Sequence, residues 1–232
     1  MIEYHQSVNS GLQSTSLIAR KSAYLARIDA PLDKALDIAQ RQVKRHPSIH
    51  ASVRHLSVLR GYGCEAVQLL IMPPHEAQIT MFLFSNSIPE TSREQWINWR
   101  DVKTPLYWRG YQLTLFNQRV TWTLTKGKKD AYMQQIRRTI TGRSGQPNLG
   151  EKPYQLSPET AAKQIENLFA HLIRYPLFSG IRAVIKELQK KATTIWQSTY
   201  PNVPLPLFPR IPYRRFTEKN TAPLSHLVKL QS

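Results

Sequence analysis

The chain is short of cysteine, of acidic residues and of long apolar runs, and each shortage removes a class of protein. Its 232 residues hold one cysteine, Cys64, so no disulfide can form within the chain. No Cys-x-x-Cys pair is present to build a structural zinc site. A lone thiol predicts a thiol-permissive, cytoplasmic setting. Aspartate and glutamate total 15 against 32 lysines and arginines. Two-metal nucleases and polymerases need carboxylates that converge, whereas Asp101 and Asp130 flank a predicted hairpin with no partner fixed for either. No stretch approaches the roughly eighteen apolar residues of a spanning helix, which predicts no membrane partner. The first residues carry Glu3 and no apolar segment, so no secretory leader is expected. Also missing are a Gly-x-x-x-x-Gly-Lys run, a Gly-x-Gly-x-x-Gly turn after a strand and a Gly-x-Ser-x-Gly elbow. Nucleoside-triphosphatase, dinucleotide and ordinary hydrolase chemistries fall with them. No catalytic residue, metal or cofactor is assigned.

What the chain does have is positive charge. The formal net charge is +17, and the isoelectric point is near 10.2. Hydrophobic residues make up 41% and aromatics 9%, enough for a packed core and too much for a disordered basic arm. An excess of this size repels itself in a compact body unless an anionic partner compensates. Nucleic acid, DNA or RNA, is the expected partner, because each phosphate neutralised releases a counterion. A membrane surface prefers a polybasic block beside an apolar anchor, and here the cations are spread along the chain with no five like charges in a row.

Hydrophobic periodicity gives the expected elements. Residues 14–28 and 31–45 read as an N-terminal helix pair, the second opened by Pro31 and Asp33 and stopped by Pro47. Ile49, Ala51 and Val53 alternate with His50, Ser52 and Arg54 and predict a strand. Residues 64–72 and 77–85 read as further strands, with runs such as Met81-Phe82-Leu83-Phe84 that suit central positions. Residues 89–99 predict a short helix. Residues 111–116 and 119–125 predict a hairpin, with Tyr111, Leu113, Leu115, Val120, Trp122 and Leu124 inward and Arg119, Thr121, Thr123 and Thr125 on an open polar face. Residues 128–143 return to helical period. Ser157-Pro158-Glu159 opens another helix, and a last one spans about 180–197. The expected fold is therefore α+β: a central, mostly antiparallel sheet with helices at both termini and a proline-rich C-terminal tail. As a domain plan, residues 1–198 form one nucleic-acid-binding domain. It comprises a helix pair at 14–46, a sheet region at 49–125 and helices at 128–198. Residues 199–232 form the extended tail, which packs across the body or docks a protein partner.

The candidate interface follows from where cations and aromatics meet. Trp99-Arg100 and Trp108-Arg109 place a base-stacking ring beside a phosphate-binding guanidinium at a sheet edge. Trp122 and Trp196 are in phase with apolar neighbours and belong in the core. Lys126, Lys128 and Lys129, then Arg137 and Arg138, then Arg143 in a glycine-containing loop, form the densest basic stretch. Arg119 lies on the hairpin's polar face beside it. His46, His50 and His55 cluster in sequence, but their spacing and the lone thiol favour polar edge residues over a metal site.

The run Ala39-Gln40-Arg41-Gln42-Val43, followed by His46-Pro47 and an expected strand, resembles uncharacterised proteins of integrative conjugative elements. The resemblance covers a small part of the chain, carries over no residue roles and implies a mobile-element setting. The expected function is a non-catalytic nucleic-acid-binding accessory protein, working mainly through phosphates in a larger DNA or RNA transaction. Two rival readings are a metal-independent endoribonuclease, which needs only a base, an acid and a cation, and a basic adaptor docking a partner through its tail.

Overall fold

A computed structural model describes residues 2–90, 92–101, 103–142, 156–213 and 220–229. In chain order the elements are β1 (Glu3–His5), α1 (Val8–Ala19), β2 (Tyr24–Pro31), α2 (Ala35–Arg45), α3 (Val53–Gly61), β3 (Gln68–Ile71), β4 (Gln78–Ser85) and β5 (Trp96–Asn98). There follow β6 (Tyr107–Trp108), β7 (Tyr111–Phe116), β8 (Arg119–Leu124), α4 (Lys126–Thr141), α5 (Pro158–Leu172), α6 (Ser179–Thr199), β9 (Thr221–Pro223) and α7 (Ser225–Lys229). The chain is α+β with antiparallel strand pairing, and among the described residues the strands divide among three sheets. It folds as two compact units. One comprises residues 1–106, 117–120 and 215–232; the other comprises 107–116 and 121–214.

In the first unit the sheet order is β3-β4-β2-β5. β2 pairs with β4 along its whole length, from Tyr24 opposite Ser85 to Pro31 opposite Gln78. This corrects the helix expected over 14–28. The helix starts earlier, at a Ser7 cap whose hydroxyl accepts from the Ser10 amide, and ends at Ala19. Beyond it Ala26, Ile28 and Ala30 alternate with Arg27 and Asp29, which is strand period. Arg27 and Asp29, two apart, share the exposed face and form an ion pair at 2.8 Å, as only an extended backbone allows. One face of the sheet packs Ala30, Ile71, Ile79 and Met81 against Ala35 and Ala39 of α2, Leu224 just before α7 and Leu227 within it.

Two further expectations are corrected in this unit. The strand expected near residue 49 is a 3-10 turn, Pro47–His50, followed by α3. Ser52 caps α3 by accepting from the His55 amide, and Val53 is 70% exposed, so its alternation with Ala51 served no buried face. The helix expected over 89–99 is instead a loop leading into β5, the edge strand beside β2. There the Ser92 hydroxyl bonds to Glu94 and Trp96 rather than capping a helix.

The second unit holds β6, β7 and β8 from Thr121 on, while residues 117–120, the β7–β8 turn and the start of β8, count with the first. β6 and β7 are joined by Arg109-Gly110 and β7 and β8 by Asn117-Gln118, and all four residues have positive φ: 48°, 78°, 49° and 60°. Two consecutive left-handed residues make the type I′ turn that matches strand twist. Gln118 is a poor fit, since a side chain there costs about 1 kcal/mol against glycine. Gln118→Gly is expected to stabilise the protein by about 0.5–1 kcal/mol, seen as a higher urea midpoint at unchanged slope. Helices α4, α5 and α6 pack on each other, and α6 packs on β7. Trp122 is 0% exposed and Trp196 1%, the core positions expected of both. The hairpin's polar face is not open: Thr121 is buried, its Oγ1 accepting from the Ser179 hydroxyl and the Gly180 amide at the start of α6.

From Tyr200 the chain runs back along α5 and α6. Trp196 donates to the Val203 carbonyl, Gln189 to that of Pro209, and the Leu207 amide to the Glu166 carboxylate. Phe208 meets Phe169 edge-on at 4.9 Å, and Arg182 stacks on Tyr213 at 4.6 Å. Leu205 and Leu207 project from this strap into solvent. Further on, β9 pairs with β1.

Candidate nucleic-acid interface

The two tryptophans of the candidate interface are core residues. Trp99 is 3% exposed and donates its indole N–H to the Ser22 carbonyl at 2.8 Å. Trp108 is 2% exposed. Each ring is covered by the arginine that follows it: Arg100 over Trp99 at 5.4 Å and Arg109 over Trp108 at 4.6 Å. Arg100 also donates to the Arg20 carbonyl. What these pairs present is thus a guanidinium held on an indole, not a ring face open to a base. Trp99, Arg100 and Arg119 fall in the first unit, and Trp108 and Arg109 in the second.

The remaining candidates of the second unit lie on α4 and divide by environment. Lys126, Arg137 and Arg138 are exposed, with no carboxylate at ion-pair distance among the described residues. Lys126 and Arg137 are about three helical turns apart and so on the same side of α4. Asp130 is the one acid on this helix. Lys129 is not available in the same sense: its ammonium is 2.6 Å from Glu187 of α6, which also holds Lys191 at 3.0 Å. Those bonds from Lys129 and Lys191 keep the Glu187 carboxyl below the usual range. Arg119 is exposed at the start of β8. Arg143 lies outside the described residues.

Lys128 sits in a setting that the sequence did not announce. Its Nζ lies over the ring of Tyr175 at 4.6 Å and that of Tyr111 at 5.4 Å. The Tyr132 and Tyr175 hydroxyls are 2.6 Å apart. His171 meets Tyr175 edge-on at 5.7 Å. Burial pushes the Tyr111 and Tyr132 phenols well above their ordinary range; the Tyr175 phenol adds to both effects. The Lys128 stem passes 3.0 Å from where a Cβ on Gly110 would stand, a close approach added to the positive φ that itself favours glycine there. Lys128 and Tyr132 are one turn apart on α4, a pairing visible in sequence. Nothing local pointed to Tyr175, which arrives from the end of α5.

A second polar cluster, in the first unit, was also missed. Glu94 accepts from Gln42 at 2.8 Å and Ser92 at 2.5 Å and pairs with Arg45. His46, fully buried, places Nδ1 3.1 Å from Glu65 and Nε2 3.9 Å from Glu94. Burial alone would raise the Glu94 pKa. The hydrogen bonds from Ser92 and Gln42, a backbone amide and the Arg45 charge outweigh it and hold the carboxyl down at about 2. A carboxyl lowered on folding stabilises the native state above its unfolded pKa of 4.5, and that contribution is lost as pH falls toward 2. Glu94→Gln is therefore expected to cost about 1–3 kcal/mol near neutrality, with the gap to the parent closing below pH 4 in paired urea titrations.

Neither a family model, nor a curated protein, nor a solved structure matches this chain. The functional reading accordingly rests on the residues themselves.

Proposed function

We propose that the chain is a non-catalytic nucleic-acid-binding accessory protein that contacts mainly the phosphate backbone within a larger DNA or RNA transaction. The observation that carries this is the charge of +17 together with the exposed cations on α4. Among the described residues, ion pairs with carboxylates engage Arg27, Arg45, Lys129 and Lys191, while Lys126, Arg137 and Arg138 stand exposed on one helix. Cations of that kind cost nothing to the core and follow a phosphate chain without reading bases, because base readout needs side chains fitted to groove edges. The mobile-element setting rests on the short resemblance around residues 39–47 alone. No helix among the described residues is long and apolar enough to cross a membrane.

One observation favours the ribonuclease reading as the second choice. Arg45, His50 and His55 line one open groove of about 700 Å³ in the first unit, which puts two imidazoles and a guanidinium within one cleft. A single experiment separates the two. Labelled 20-nucleotide single and double strands of DNA and RNA are titrated at low salt in chelator, and the RNA is then run on a denaturing gel. Comparable binding of all four with intact RNA is the expected result. Failure to bind any of them contradicts the proposal, and RNA cleavage abolished in His50→Ala or His55→Ala replaces it with the nuclease.

A further inference from the structure

In the second unit, four elements converge on one cationic, hydroxyl-bearing point. Tyr111 comes from β7, Lys128 and Tyr132 from α4, His171 from α5 and Tyr175 from the segment just after it. Lys128 offers three N–H donors, and among the described residues its ammonium meets two aromatic faces and no carboxylate. The hydroxyl pair uses one of its two hydrogens internally, and the other has no acceptor among the described residues. Lys128, Tyr132 and Tyr175 are each partly exposed, so the point is reachable from solvent.

We propose that Lys128 with the Tyr132–Tyr175 hydroxyl pair forms a seat for a phosphate group, which, if the chain binds nucleic acid as proposed, is one phosphodiester of the bound strand. The chemistry is that of an oxyanion acceptor: one fixed positive charge and a phenol O–H, both donors, with no competing carboxylate among the described residues. The same chemistry argues against a base-stacking role. The face of Tyr175 nearest the site is already covered by Lys128, as is that of Tyr111. It also argues against a tyrosine nucleophile. Burial and the neighbouring phenol hold Tyr132 protonated, so it donates a hydrogen bond and does not attack. Gly110 belongs to the seat through the space it leaves for the lysine stem.

The test uses the full chain and exploits a difference between neutral and charged groups. A phenol releases no counterion, whereas a lysine on a phosphate does. The double variant Tyr132→Phe/Tyr175→Phe keeps both rings and removes both hydroxyls; the single variants are insufficient, since each leaves one hydroxyl free to donate. For a labelled 20-nucleotide strand, the double variant is expected to bind about tenfold more weakly at every salt concentration, with the salt slope unchanged. Lys128→Gln is expected to lower affinity and to flatten the slope by about one unit. Circular-dichroism melting of each variant separates these effects from unfolding. Parent-like affinity in a folded double variant overturns the seat and leaves the nucleic-acid reading standing. If the parent itself binds no strand, that reading fails, and the seat is judged with pyrophosphate by NMR. Saturable shifts of the Tyr132 and Tyr175 ring signals would then retain it as a site for a free phosphate, and their absence overturns it.

Discussion

Trp122→Ala is expected to lower the free energy of unfolding by about 3–5 kcal/mol, with the loss visible in urea midpoint and in melting temperature. The indole is wholly buried in β8, between inward-facing Val120 and Leu124. The backbone around it is pinned as well. α6 begins so close to β8 that a Cβ on Gly180 would stand 2.6 Å from the Trp122 carbonyl oxygen, and Thr121 next door accepts from Ser179 and Gly180. A site fixed by backbone contacts on one side and a helix on the other cannot collapse to fill the space a removed ring leaves, which places the loss toward the upper part of the range. A variant that melted like the parent would show that this joint does not hold the second unit together.

The triple variant Lys126→Gln/Arg137→Gln/Arg138→Gln is expected to fold as the parent does and to lose affinity for every nucleic acid alike. These three side chains are exposed, and Ile136 and Ile140 do the packing for α4. The salt slope should fall by about one unit for each phosphate that is no longer neutralised. Near physiological salt the weakening should amount to about tenfold or more. Lys129 is left out because Glu187 holds it, and its replacement would disturb the α4–α6 packing as well as binding. The matching control replaces Lys186 and Lys190 on α6, both exposed. Arg182 is left out because its contact with the Tyr213 ring ties the strap down. A larger loss of binding from the α6 set than from the α4 set would move the interface to α6.

The parts of the fold that were legible in the sequence are those whose pattern is local. Residues 111–124 show strand alternation because each strand has its partner two residues away across a turn, although Leu115, expected inward, is exposed and Thr121, expected outward, is buried; α4, α5 and α6 carry helix-period stripes with a cap and a first-turn proline at Ser157 and Pro158. The N-terminal errors have one cause. Residues 24–31 satisfy helical and strand spacing about equally well. Only pairing with β4, some fifty residues on, decides between them. Around residue 49 the alternation was real but had no sheet to face, so the Ser52 cap prevailed.

The candidate site divides in the same way. That Arg138 points outward follows from its phase, opposite Ile136 and Ile140, whereas Lys126 and Arg137 flank that stripe and their exposure is not set by phase alone. The pairing of Lys129 with Glu187, the burial of Trp99 and Trp108 and the tyrosine setting of Lys128 all arise between distant segments, Tyr132 and Tyr175 being 43 residues apart. Single-sequence periodicity carries no information on such meetings.

The central claim is that exposed positive charge binds phosphate, and it is tested most directly by the salt dependence of affinity. A labelled generic duplex is titrated with the unmodified protein at a series of salt concentrations from about 50 to 300 mM. Neutralising at least four phosphates predicts a straight line of log K against log salt with a slope of about −3.6 or steeper. A flat line, or binding too weak to measure even at the lowest salt, would contradict the account.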